Sequence, residues 1–247
     1  MIEPVVQVSW TGGERLVIPN EESTRVEFDQ GNLLDLSRFP RADRRERGTV
    51  AAVGLGWSRF NPGGWDTNIS VGQVFRTEED SDFTTTSGLD GLTSDFLLAG
   101  QLSAGDGLSL TGRSLFENDF SLSKAELRGD FTYRRGRFGG SYAWLQEDPS
   151  EERGNEVSEI TFDGDYRVNQ FWTASANWRY DVATDRAATA GLGLSYQNEC
   201  VTLDLAVTRS YANSTSVEPS TDFGFNIGLR GFSADTGTER YVRSCSN

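Results

Sequence analysis

From about residue 45 onward, apolar and polar side chains alternate in runs of roughly 9 to 12 residues, each bounded by turn residues. In "AELRGDFTY", Leu127, Gly129, Phe131 and Tyr133 fall on one face, and Glu126, Arg128, Asp130 and Thr132 on the other. "EITFDGDYR" opposes Ile160, Phe162, Gly164 and Tyr166 to Glu159, Thr161, Asp163, Asp165 and Arg167. "FWTASANWRY" and "VTLDLAVT" divide the same way. Period two is the signature of a strand, whose successive side chains point to opposite faces. The pattern predicts about twelve strands, near 2–10, 46–60, 65–78, 94–104, 108–118, 122–133, 137–146, 156–167, 170–181, 187–197, 200–211 and 221–230.

Alternation also describes a half-buried soluble sheet, so the choice rests on what the apolar row contains. A sandwich core would be rich in Val, Ile and Leu. Here small residues occupy mid-strand and aromatics the strand ends, as with Trp172, Trp178 and Tyr180, or Phe138, Tyr142 and Trp144. That is the pattern of a lipid-facing band with aromatic girdles. The connections agree: short turns at 61–64, 104–107, 134–137, 167–170 and 197–200 alternate with longer polar loops. The expected fold is an all-β, antiparallel transmembrane β-barrel in an outer membrane. Short turns would be periplasmic and long loops extracellular. "DFGFNIGLRG" would be the last strand, with Phe223, Phe225, Ile227 and Leu229 facing lipid, and Asp222, Gly224, Asn226 and Gly228 facing the lumen.

Composition narrows the chemistry. Of 247 residues, 36% are apolar and 11% aromatic, with 27 Gly and no His. Without histidine, Ser-His-Asp and Cys-His catalysis and His-based zinc sites are unavailable within the chain. Neither a catalytic site nor a metal site nor a cofactor is expected, and the protein is read as a non-enzyme. A formal charge of -14 argues against nucleic acid. No run of about 18 apolar residues and no secretory signal is present, so the chain is either intracellular or a piece lacking its targeting segment. Lumenal carboxylates such as Glu126, Asp130 and Asp163 alternate with Arg128, Arg167 and Arg179, which fits a hydrated, mixed-charge interior.

Three features carry candidate roles. "RFPRADRRER" puts Arg38, Arg41, Arg44, Arg45 and Arg47 at the extracellular mouth, suited to phosphate contacts or to pairing with the interspersed Asp43 and Glu46. The acidic "TEEDSDF" lacks the ligand spacing of a calcium loop and reads as solvated. Cys200 falls on a periplasmic turn, and the tail bearing Cys245 leaves the last strand on the same side. A bridge there would join these two or reach another partner, the alternative being two unrelated thiols.

Residues 18–57 break the strand rhythm. Asn20 to Ser23, Glu27 to Asp29, Asn32 to Leu34, and Arg38, Phe39, Asp43 and Arg44 resemble, in order, the elements of the LPS-assembly outer-membrane family LptD (OstA, Imp). "NISVGQVF", "GLSYQNEC" and "FGFNIGLRGF" also look like family segments, so the resemblance covers nearly the whole chain. Arg41 stands where the family commonly has Gly, and Glu199-Cys200 where its best-known branch has adjacent cysteines.

The resemblance implies a lipopolysaccharide translocon and a barrel of about 26 strands preceded by a periplasmic domain. Residues 1–232 would be the C-terminal part of that barrel, 11–45 a long extracellular loop with the motif region, and 233–247 a periplasmic tail. Implied partners are lipopolysaccharide, an LptE-like lipoprotein plug, the periplasmic bridge delivering lipopolysaccharide through the upstream domain, the barrel-assembly machinery and the outer membrane. The last strand, from Asp222, would serve as lateral-gate edge and insertion signal. The competing readings are a self-contained porin-like barrel of about twelve strands, and a barrel enzyme.

Overall fold

A computed structural model of the chain describes residues 1–13, 26–41, 43–105, 107–151, 153–211 and 218–229. Twelve strands form one antiparallel sheet in the order of the sequence: β1 (Ile2–Thr11), β2 (Gly48–Arg59), β3 (Trp65–Arg76), β4 (Phe96–Ala104), β5 (Leu108–Phe116), β6 (Leu122–Tyr133), β7 (Gly136–Leu145), β8 (Val157–Arg167), β9 (Trp172–Asp181), β10 (Arg186–Gln197), β11 (Val201–Ser210) and β12 (Ser220–Leu229). Single 3-10 turns at Thr85–Ser87 and Pro149–Glu151 complete the regular structure among the described residues. Strands β1 and β12 stand at the two ends of the order.

The chain divides into two compact units, Met1–Asp130 with Ser141–Glu159, and Phe131–Gly140 with Ile160–Asn247. In the first, β2 pairs β3 with Gly54 opposite Gly72, and β4 pairs β5 with Leu97 opposite Leu115. Directly opposed residues share a face. One row therefore holds Val53, Leu55, Trp57, Ile69, Leu98 and Leu110, all exposed although apolar. The other row begins with Asp66, Asn68, Ser70, Gln101 and Thr111, then turns apolar at Val50, Ala52, Val74, Leu97 and Leu115, which are buried.

What buries them is the segment after β1. Residues 26–41 and 43–47, here called the strap, lie on this inner row. Val26, Phe28, Leu33 and Phe39 join Phe83 and Leu89 from the β3–β4 connection in one apolar cluster. Each large side chain sealed this way contributes about 1.5–3 kcal/mol. Phe39 stacks on Phe83 at 4.5 Å between centroids. Thus the described part of the 11–45 stretch does not stand away from the strands. The inner row beneath Val26, Phe28, Leu33 and Phe39 is apolar.

In the second unit the register of β9 to β12 separates an apolar row, including Leu192, Leu205, Phe223 and Phe225, from a polar and small row including Gly193, Asp204, Gly224 and Asn226. Phe223 is 82% exposed, and Phe225, Ile227 and Leu229 are exposed with it. Two turns of this unit use the same device. The Asn169 side-chain oxygen accepts from the N–H groups of Phe171 and Trp172, and that of Asn198 from Cys200 and Val201. Such Asx closures make short connections without glycine.

Candidate functional site

The strap is fixed by alternation within its own motif. In "EFDQGNLL" a turn is closed by Asp29, whose carboxylate accepts from the N–H of Gly31 at 2.7 Å and of Asn32 at 3.0 Å, while Asn32 returns a bond to the Glu27 carbonyl at 2.7 Å. Phe28 and Leu33 are thereby sent into the apolar cluster. Glu27 and Asp29 are sent the other way, onto a cationic pair rising from the sheet. Arg113 of β5 donates to Glu27 at 3.2 Å, to Asp29 at 3.3 Å and to Glu126 of β6. Lys124 lies 3.2 Å from Glu126 and 3.4 Å from Glu27. Burial pushes the Glu27 carboxyl up, but the Lys124 and Arg113 charges outweigh it and hold the group below the usual carboxylate range.

A second anchor is fully buried. Glu46 accepts from the Arg38 backbone N–H and guanidinium, both at 2.8 Å, and from Arg76 Nε at 2.7 Å. All three side chains are about 1% exposed. Arg38 also donates to the Leu33 carbonyl and Arg76 to that of Leu89, tying the strap to β3 and to the β3–β4 connection. Desolvation raises Glu46, but the two arginines more than offset it and its carboxyl sits below the usual range.

The β3–β4 connection is clasped in turn to the β7–β8 connection. Thr86 donates through both its N–H and its hydroxyl to Asp148, at 3.1 and 2.9 Å, and accepts from Arg153 at 2.6 Å. Burial raises Asp148, but donors from Ser150 and Thr86 bring it to about 2. Close approach demands glycine at Gly72, where a Cβ would strike Leu33 and stand 3.0 Å from the Val53 carbonyl.

Beneath the strap lies a cavity of about 540 Å³ in the first unit. Gln30 roofs it, and Asn68, Ser70, Gln101, Thr111 and Arg113 of β3 to β5 are among its lining side chains. Its amides, hydroxyls and paired charges would hold a hydroxyl-rich or hydrated ligand.

The five arginines of "RFPRADRRER" have different surroundings. Arg38 is buried against Glu46, Arg44 pairs with Asp82 at 2.7 Å, and Arg47 donates to the Gly13 carbonyl. Arg41 and Arg45 are exposed. Within "TEEDSDF", Asp82 is thus engaged with Arg44. Asp222, Phe223, Gly224, Phe225, Ile227 and Leu229 lie on β12, paired along its length with β11. Cys200 follows the Asn198 turn. Cys245, Asn20 to Ser23, Arg230 and the 233–247 tail lie outside the described residues. Sequence reasoning missed Arg113, Lys124 and Arg76 as anchors. Arg113 carried a signal, as the one cation beside Ser109, Thr111 and Leu115 on the inward parity of β5, whereas Lys124 shares its row with Glu126, Arg128 and Asp130 and does not stand out.

An antiparallel sheet with an exposed apolar row, an inward polar row and a strap seated on the inner face is the wall of a transmembrane β-barrel of outer-membrane type. Residues 1–172 match the family model described as "LptD: LPS transport system D", and the chain belongs to that family. No curated protein matches it. Among solved structures it is similar to two variants of the Rh. blastica porin. Both are 15% identical over 82% of this chain and 61% of theirs, with TM-scores of 0.38 and 0.39. A structure described as "Asymmetric conductivity of engineered proteins" is 16% identical over 92% of this chain and 73% of its own, with a TM-score of 0.38. The chain therefore spans about 61% of the length of the porins it is similar to.

Proposed function

We propose that the chain is part of the outer-membrane machinery that inserts and assembles lipopolysaccharide at the cell surface, and that it transports rather than catalyses. The observation that carries this reading is membership of the LptD family over residues 1–172. The cavity under the strap supports it, since the amides and hydroxyls among its lining can exchange hydrogen bonds with the sugar part of a glycolipid as they would with water. In this reading β12, from Asp222, is one edge of a lateral gate and carries the signal read by the barrel-assembly machinery. An LptE-like lipoprotein occupies the lumen, and the periplasmic bridge delivers the glycolipid. The long loops face outward and the short turns face the periplasm. Cys200 bridges to Cys245; the reading is supported by the lack of any free cysteine among the described residues.

Two experiments test it. Depletion of the protein should empty the cell surface of lipopolysaccharide, and normal surface levels after depletion would overturn the reading. A photo-crosslinking residue placed at Thr111 should capture lipopolysaccharide in growing cells; capture of none, from a folded protein, would remove the cavity from the path. The alternative, a porin-like barrel, predicts ion conductance by the reconstituted chain without partners.

A further inference from the structure

We propose that the exposed apolar face of β9 to β12, at the end nearest the β11–β12 connection, holds the phosphate of a lipopolysaccharide molecule through Arg209. The inference rests on the proposed function, which makes β12 a gate edge and puts that connection outside the cell. All its residues belong to the second unit.

The register decides which side chains share this face. Across the strands, one level aligns Trp178, Ala190, Arg209 and Thr221, and the next aligns Ala176, Leu192, Val207 and Phe223. Directly opposed residues share a face, so Arg209 stands on the apolar row. Asp222, which follows Thr221, lies on the other row, opposite Thr208. Among the described residues Arg209 is the one charged side chain on the apolar row of β9 to β12. A cation facing lipid is costly at the bilayer midplane and tolerated near its surface, which sets Arg209 at headgroup depth.

Aromatic rings mark the same depth. Trp178 and Tyr180 lie 5.3 Å apart between centroids, and the Tyr180 hydroxyl donates to Asp185 in the β9–β10 turn. The Arg209 guanidinium lies 5.8 Å from the ring of Tyr211, two residues on. Between Trp178 and Arg209 the small Ala190 leaves a notch, with an indole on one side and a cation on the other.

The guanidinium is held but not neutralised. Its Nη1 donates to the Thr221 hydroxyl at 2.7 Å, bridging β11 to β12, and among the described residues no carboxylate pairs with it. The rest of its planar fork is open to an anion, and phosphate is the lipid group whose oxygens it fits. Toward the midplane the row runs on through Leu192, Val207 and Phe223 to Leu194, Leu205 and Phe225, an apolar plane four strands wide. Such a plane suits the several acyl chains of a lipopolysaccharide better than the two of a glycerophospholipid. Because Thr221 belongs to β12, the site adjoins the edge at which the glycolipid would leave the gate.

The test uses the full chain in detergent micelles, read by native mass spectrometry. The probes are the purified lipid part of lipopolysaccharide, the same lipid stripped by phosphatase, and phosphatidylglycerol. Stripping should lower retention by the wild type about fivefold, the worth of one arginine near a charged headgroup. R209Q should lower retention of the intact lipid by the same factor and leave that of the stripped lipid unchanged. Equal retention of intact and stripped lipid by the wild type, or equal loss of both in R209Q, would overturn the proposal. So would displacement of the intact lipid by equimolar phosphatidylglycerol, a sign of a general phospholipid site, or by millimolar inorganic phosphate, a sign of a free-anion site. Should R209Q lose its β-sheet circular dichroism, T221V decides: it keeps the charge, removes the tether, and must lower retention of the intact lipid alone. No transport enters this assay, so a lost phosphate effect strikes the site, whereas normal surface lipopolysaccharide after depletion strikes the translocon reading.

Discussion

Replacing Glu46 with Gln tests whether the buried triad holds the strap. Glu46 takes three hydrogen bonds, two from Arg38 and one from Arg76, on two carboxylate oxygens. An amide keeps one acceptor and turns the other into a donor facing a guanidinium. Because all three side chains are about 1% exposed, the arginines cannot turn to water without the strap lifting. Removing one partner of such a group costs about 3–5 kcal/mol. In urea titrations of the protein in lipid vesicles, E46Q should lose the protected strap first. Trypsin, which in the native protein can reach only exposed sites such as Arg41 and Arg45, should then also cut after Arg38.

The pH dependence follows with a definite sign. A carboxyl held below its unfolded value of 4.5 contributes stability that is complete above that value and is lost as pH falls through the lower folded pKa. Wild type and E46Q should therefore differ fully at neutral pH and converge only in acid. Replacing the whole triad, as R38M/E46L/R76M, should recover most of the loss, since no uncompensated charge remains. Unchanged urea midpoints and no cleavage after Arg38 in E46Q would refute the reasoning.

Three other outcomes are expected. Gly72→Ala should cost about 1–3 kcal/mol by overpacking against Leu33, and Leu33→Ala should relieve it in a double-mutant cycle; additive effects would disprove the contact. Asp95 is raised to about 6, by burial first and then by Asp90 and Glu117, despite a hydrogen bond from Ser123. Its ionised form therefore costs stability progressively from pH 3.8 to about 6, so the gain from Asp95→Asn in thermal melts should grow over that range and then level off. Phe225→Lys should lower folding stability in vesicles by about 2–4 kcal/mol if it lies at mid-bilayer, while Asn226→Lys on the opposite row should be tolerated; equal effects would contradict the assignment of faces.

The strands were legible because period two survives any tertiary context. The segment read as 46–60 is β2, Gly48–Arg59, and 200–211 is β11, Val201–Ser210. The assignment of Phe223 and Phe225 to one row and Gly224 and Asn226 to the other matches the observed register with β11. The strap was not legible. Val26 and Phe28 keep a spacing of two, but Leu33 and Phe39 follow at irregular intervals, because turns rather than a regular element aim them. Pairing of the arginine run with Glu46 was legible, and Arg38 makes it; that the pair would be buried was not, since this depends on Arg76 arriving from β3. The Asn169 and Asn198 turns were visible as short connections, but their closure by side-chain oxygens was not.

The anchoring of Glu27 by Arg113 also sets an order of events. These residues are 86 positions apart, whereas the hairpins from β2 to β5 join strands nearly adjacent in sequence. Closing so long a loop is entropically costly until both ends are held, so local pairings form first. The strap can seat only after β5 and β6 have come together. During assembly, then, the inner face is open, and the protein completes its wall before closing over it. Pulse-chase trypsinolysis should show β-sheet resistance appearing before Arg38 becomes protected; simultaneous protection would mean that the strap templates the strands instead.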